Sequence, residues 1–487
     1  MADDMENDLG LGPETEERSL VGPPNRARQS ERARLRATAL VNRRLAKGVH
    51  RPFLQSMHRF QGSMTALRQL HEKLTPTVAN WPDEIMDDFK GAIQRYPMEQ
   101  QQALLKLAAE ALPGLLRGTL IFREIEEKGE EGETEAEASG EAEKEDKVAD
   151  AWKLVAEQMD GDMGAAYEVL HLLYMKSTTP ALDQTFHRSM LISAVAALDV
   201  LLLELISNFY LLHPEALGNE ATFTLAKLTE FSDLNDARTS AVEQKADQIV
   251  RKGLEGWMKW LDSQGIDLKT HCADFKNLAE IIQRRHVAVH NAGRASRVYR
   301  DKIQALTGEE SEHPLGETLR IDSLYLGGAL DELEAAGNLL TGAVWTKCIK
   351  EAEEVVNFEL YVRSYDLLMA ERWVPAACIC SAAKKRLKPD DDLYLIHKVN
   401  EWLARKRSGE DVEEEVKGWP TLTLNTRYQA AQAALLDDFD ELEQLILKCA
   451  KAGDLDLEDA WEWPLFSGIR AQDRWQTIVQ AFPRHED

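Results

Sequence analysis

At 487 residues and 44% apolar content, the chain can bury sizeable cores in about two to four domains, which excludes a small stapled scaffold. A formal net charge of −26 excludes general capture of duplex nucleic acid and leaves room only for a local basic patch, so RNA is not excluded. Five scattered cysteines (Cys272, Cys348, Cys378, Cys380, Cys449) exclude a disulfide framework. They point to a reducing cytoplasm.

In chain order, residues 1–25 are acidic and punctuated by Gly and Pro, the composition of a disordered tail. No apolar leader core occurs there, and no run reaches the ~18 apolar residues of a membrane span, so a soluble, cytoplasmic protein with no membrane partner is expected. The next stretch, 26–51, carries nine Arg/Lys against one Glu. It reads either as a solvated helix face or partner for an acidic tract, or as a phosphate-binding arm. Residues 52–123 repeat apolar positions at helical spacing and form an N-terminal helical unit, with breaks at Pro82 and Pro97. The Glu-rich run 124–150 has almost nothing to bury and is expected to be a flexible linker between domains.

Helical patterns follow at 151–176, 186–211, 238–263, 274–303 and 327–354, which mark a domain over 151–354. The pattern at 186–211 is apolar on nearly every side, as a central helix requires. Only 318–326 suggests a strand, so the fold class is all-α. Over 355–487, Pro375 sits near a helix start and Pro389 at a stop, giving a helical hairpin array with weak tetratricopeptide-like character. Cys378 and Cys380 fall on what should be a buried face of that array, where a nucleophilic thiol is not expected. The aromatic stretch 461–482 is expected to dock on the helices before it.

One segment, 279–301, resists a reading as packing alone. On a 3.6-residue helix Phe275, Leu278, Ile281, Ile282 and Val289 line one stripe, and Arg285 sits inside it. A guanidinium there needs a partner, and Asp199, an acid within the apolar "AVAALDVLLLEL", is the natural candidate. His290 lies about 140° around the helix and within about 8 Å along its axis, on a flank where an imidazole can titrate near neutrality.

The stretch "RRHVAVHNAG", followed by Tyr299, resembles the R-x4-6-H signature of the HEPN superfamily (higher eukaryote and prokaryote nucleotide-binding domains), in particular a bacterial branch whose motif helix reads Arg-Arg-Asn/His-x-x-Val-His-Asn-x-Gly. Ser193 and Asp199 in "SAVAALD" resemble that branch's central helix. The resemblance spans about 180–350 and implies a helical bundle with metal-independent endoribonuclease activity on single-stranded RNA. It implies a composite site at a homodimer interface, and a role as a toxin or phage-defence effector. Arg285 and His290 would be catalytic, the first as a fixed cation over the phosphate and the second as a proton shuttle. Arg284 would hold a neighbouring phosphate, Asn291 would orient the imidazole or bind a phosphate oxygen, and Asp199 would support Arg285.

His286 departs from the Asn or Asp usual at its position and serves as a second acid/base or as a polar substitute. His286 and His290 form an H-x3-H pair, yet no carboxylate or cysteine completes a ligand set, so neither metal nor cofactor is expected. The flanking regions would sense a trigger protein or answer to a neutralising antitoxin. The competing expectation is a non-catalytic dimerisation and RNA- or nucleotide-binding module in which Arg285 and Asp199 form a structural ion pair.

Overall fold

The structure, a computed structural model, describes residues 48–117, 142–218 and 222–482 apart from residues 82, 162 and 180. The acidic tail, most of the basic arm and the start of the acidic run lie outside the described residues. The longer helices are α1 (Arg51–Ala79), α2 (Glu84–Gln94), α3 (Met98–Arg117), α4 (Ala142–Gln158), α5 (Gly164–Thr178), α6 (Leu182–Leu212), α7 (Leu234–Val250) and α8 (Gly253–Ser263). They continue with α9 (Phe275–His290), α10 (Arg297–Thr307), α11 (Ser323–Cys348), α12 (Glu353–Met369), α13 (Trp373–Lys384), α14 (Asp392–Arg407), α15 (Thr426–Leu435) and α16 (Phe439–Ala452). The fold is all-α: the described residues hold no strand, only an isolated bridge between Arg294 and Thr318. The one strand candidate, 318–326, supplies that bridge and then enters α11 at Ser323.

Backbone contacts divide the chain into two units that do not follow its order. The first is Phe60–Val200 with Lys276–Leu333; the described part of the second is 48–59, 201–275 and 334–482. Successive domains at 52–123, 151–354 and 355–487 were expected. Instead α1, α6 and α11 each run through a division point, because helices this long outreach one core.

In the first unit α2 to α5 share one apolar core, where Leu104 and Leu107 meet Trp152, Val155, Val169 and Leu170. Of the linker expected at 124–150, the described part, 142–150, belongs to α4. Helix α4 already starts at Ala142, and Val148, Ala151, Trp152 and Val155 recur at helical spacing, which gives the helix one apolar side to bury. The core positions of α6 in this unit are Leu191, Ala194, Val195 and Leu198. By length and composition the stretch 164–212 holds one window apolar enough to cross a membrane, and half of that window is buried in protein, as in the core helix of a bundle.

In the second unit, the expected helix over 238–263 is two helices, α7 and α8, because Gly253 takes φ +65 at the start of α8. Helix α13 packs on both α12 and α14, and α15 packs on α16, in the hairpin manner expected of 355–487. Pro375 is the third residue of α13, and Pro389 lies in the turn before α14. The C-terminal aromatic stretch docks as expected: Leu465, Phe466, Ile469, Trp475 and Ile478 are buried, and Trp463 donates its indole N–H to Asn400 Oδ1 on α14 at 2.9 Å. Cys380 is fully buried, and burial pushes its thiol up to about 12; Cys378 is only half-buried.

Candidate functional site

Helix α9 buries Leu278, Ala279, Ile281, Ile282, Val287 and Ala288. Val289, expected in that stripe, is 47% exposed, and Phe275 is half-buried. The buried face is therefore rotated toward Arg284 and away from Arg285. The arginine inside the apolar surface is Arg284, at 7% exposure, and Arg285 stands at its edge.

Arg284 is fully engaged. Its Nε donates to Glu280 Oε1 at 2.6 Å, its Nη1 to the Arg320 carbonyl at 2.8 Å, and its Nη2 lies 3.0 Å from His313 Nε2. The guanidinium also sits 4.1 Å from the centre of the Tyr325 ring. Glu280 accepts two further hydrogen bonds, from Tyr299 Oη at 3.0 Å and Tyr325 Oη at 2.6 Å. Burial, the largest single influence, would lower the Arg284 pKa, but Glu280, Tyr325 and Tyr299 together outweigh it and the net shift is upward. Burial, reinforced by Glu280, raises both phenols. The expected phosphate-holding role of Arg284 is thus corrected: it ties α9 to α11 and to the chain before it.

Arg285 meets the partner expected of it. Its Nη2 donates to Asp199 Oδ2 on α6 at 2.6 Å, the two side chains being 25% and 26% exposed. Burial raises the Asp199 pKa against the opposing pull of Arg285. The pair is neither sealed nor free, and Arg285 Nε makes no hydrogen bond to a described residue.

Both imidazoles are exposed, one turn apart, with ring centres 4.7 Å from each other. Desolvation, followed by the positive neighbours His290, Lys302 and Arg285, lowers the His286 pKa, so this ring favours its neutral form. Asn291 donates its amide to the Arg294 carbonyl at 2.5 Å and so fixes the turn that ends α9 rather than either imidazole. In that turn the Asn291 and Gly293 amides both reach the Val287 carbonyl, at 2.9 and 3.1 Å, while Ala292 and Gly293 take φ +48 and +77. A left-handed exit of this kind satisfies carbonyls that the helix end leaves unpaired.

Sequence reasoning missed Arg188. Its Nη2 lies 3.4 Å from the Ala292 carbonyl and 3.0 Å from where a Cβ on Gly293 would stand. The signal was present: eleven residues are close to three helical turns, so Arg188 shares a side of α6 with Asp199. Exposed Ser189, Ser193, Ala196 and Val200 continue that surface, and Ser193 Oγ donates to the Ser189 carbonyl at 2.9 Å.

No group of three or more His, Cys, Asp or Glu among the described residues could hold a metal ion. The site therefore offers a part-exposed guanidinium, two open imidazoles and a second arginine nearby, a set that can bind a phosphodiester and move a proton. Comparison with known families, with curated proteins and with solved structures finds no match.

Proposed function

We propose that the protein is a metal-independent endoribonuclease that cleaves single-stranded RNA through the RNA's own 2′-OH, and that it acts as a toxin or phage-defence effector. The observation that carries this reading is Arg285 and His290 on one helix, five residues apart, both reaching solvent beside a second imidazole. An imidazole takes the 2′-OH proton as that oxygen attacks the adjacent phosphorus. Arg285 stabilises the charge that develops on the phosphoryl oxygens, and a second imidazole protonates the departing 5′-oxygen. The products are a 2′,3′-cyclic phosphate and a 5′-hydroxyl. A second copy of the chain, set against the exposed small side chains of α6, would supply the other half of the site, and the resemblance to HEPN proteins favours that arrangement. A trigger protein or antitoxin would act through the rest of the chain.

A specific observation favours a second reading. The 2.6 Å bond from Arg285 to Asp199 is what a structural ion pair would show, and it suits a non-catalytic dimerisation and RNA- or nucleotide-binding module. Cleavage of a mixed single-stranded RNA in EDTA, by the wild type and by Arg285→Ala and His290→Ala variants matched for folding and oligomeric state, separates the two. The nuclease reading expects each variant to lose on the order of 10²–10³-fold in rate. Inert wild type, or Arg285→Ala as active as wild type, hands the site to the second reading; activity abolished by EDTA reopens metal chemistry.

A further inference from the structure

The surface around the end of α9 carries more positive charge than the catalytic pair uses. Residues 284–302 hold six Arg/Lys and one acid, Asp301, in a chain whose net charge is −26. The acids that face α9 are already engaged, Asp199 by Arg285 and Glu280 by Arg284 and two tyrosines. Two cations beside the imidazoles, Lys302 and Arg188, are part-exposed and have no ion pair among the described residues. Lys302, on α10, stands close enough to His286 to help lower the pKa of that ring. Arg188, on α6, stands at the other end, past His290. Its hydrogen bond to the Ala292 carbonyl is long, at 3.4 Å, and Gly293, at φ +77, leaves its Nη2 the space that a Cβ 3.0 Å away would crowd. From His286 to Gly293 is roughly two helical turns, so the two cations bracket both imidazoles.

Positive charge alone would suit any polyanion. The neighbouring side chains narrow the choice. Val289 is exposed on the open side of α9, three residues from His286, and Val298 is exposed on α10, four residues before Lys302 and on the same side of the helix. Aliphatic and imidazole surfaces between cations suit a chain of phosphates whose bases are free to lie down on them. A duplex keeps its bases stacked inside, and an acidic peptide has no rings to place there.

We propose that α9, α10 and the start of α6 hold a run of single-stranded RNA that extends to both sides of the cut: Lys302 and Arg188 each hold a phosphate flanking the scissile one, and bases rest against Val289 and Val298. The place of the scissile phosphate rests on the nuclease reading; the two flanking contacts stand on their own geometry.

The test is fluorescence-anisotropy titration of a labelled single-stranded RNA of about 12 nucleotides with the full chain carrying His290→Ala, which spares the RNA, over a series of salt concentrations. On a single strand, each phosphate contact contributes about 0.7 to the slope of log K against log salt. Arg188→Gln and Lys302→Gln, each added to that background, should each lower the slope by about 0.7 and weaken binding about three- to tenfold, and Arg188→Lys should restore it. Lys259→Gln, at an exposed lysine of the second unit, should leave the slope unchanged. Lys302 keeps the test alive if Arg188→Gln loosens the turn after α9. A wild-type slope in either folded Gln variant overturns the proposal and leaves the nuclease reading, judged by cleavage, untouched. Lowered slopes without cleavage by the wild type sink the nuclease reading and support the two contacts. Tighter binding of duplex RNA or of a Glu-rich peptide of equal charge overturns the proposal, as does no RNA binding at about 100 μM chain in about 50 mM salt.

Discussion

Arg284 and Arg285 are neighbours in sequence, yet one lies in a closed polar network and the other keeps a quarter of its side chain in solvent. Stability should register that difference. Arg284→Ala strands Glu280 among two tyrosines, and urea denaturation should show a loss of about 3–5 kcal/mol. Arg285→Ala should lose only about 1–2 kcal/mol, because Asp199 stands part-exposed and can take up a proton. The sign with pH follows from the raised Asp199 pKa: the folded state holds this proton more tightly than the unfolded state does. The cost of leaving Asp199 unpaired should therefore shrink as pH falls toward the ordinary carboxylate range and grow as pH rises. The Arg285–Asp199 pair was legible in the sequence because each charge interrupts an apolar pattern. The Arg284 network was not, since Tyr299, His313, Arg320 and Tyr325 approach it only after the chain has turned twice.

Among the helices, α9 shows how far periodicity reaches. It finds the helix and most of its buried face but misjudges the last turn, where Val289 faces solvent and the chain leaves through a left-handed exit. The same limit hid the breaks between α4 and α5, α7 and α8, and α9 and α10. Each depends on one or two residues whose backbone flips, which an apolar repeat does not encode. The exit from α9 makes two predictions of opposite sign. Gly293→Ala should cost about 1–2 kcal/mol, because a Cβ meets both the positive φ and Arg188; Ala292→Gly should gain about 0.5–1 kcal/mol by relieving its own positive φ. Calorimetric melting of both variants checks the pair, and equal effects would show that the turn is not strained.

For the whole molecule, burial and nearby Lys384 hold His397 down to about 3, and neither ring nitrogen has a hydrogen-bond partner among the described residues. An unfolded imidazole binds its proton near pH 6.5, so stability from this group is complete above that value and is lost as pH falls from 6.5 toward 3. Between pH 7 and pH 5 the loss should be about 2 kcal/mol, and His397→Leu should abolish that share of the slope in urea denaturation. Composition and periodicity made the all-α class readable. They could not show how the chain is partitioned, because three of its four division points fall inside α1, α6 and α11, where no break in composition marks them. That partition orders events during synthesis. The first unit is complete in sequence once Leu333 has been made, whereas the second must await α12 to α16. Arg285, His290 and Asp199 can thus take their places on a nascent chain before the hairpins that follow them have left the ribosome. A protein with hazardous chemistry at that site would need its restraint to arrive from another molecule, or from residues already made.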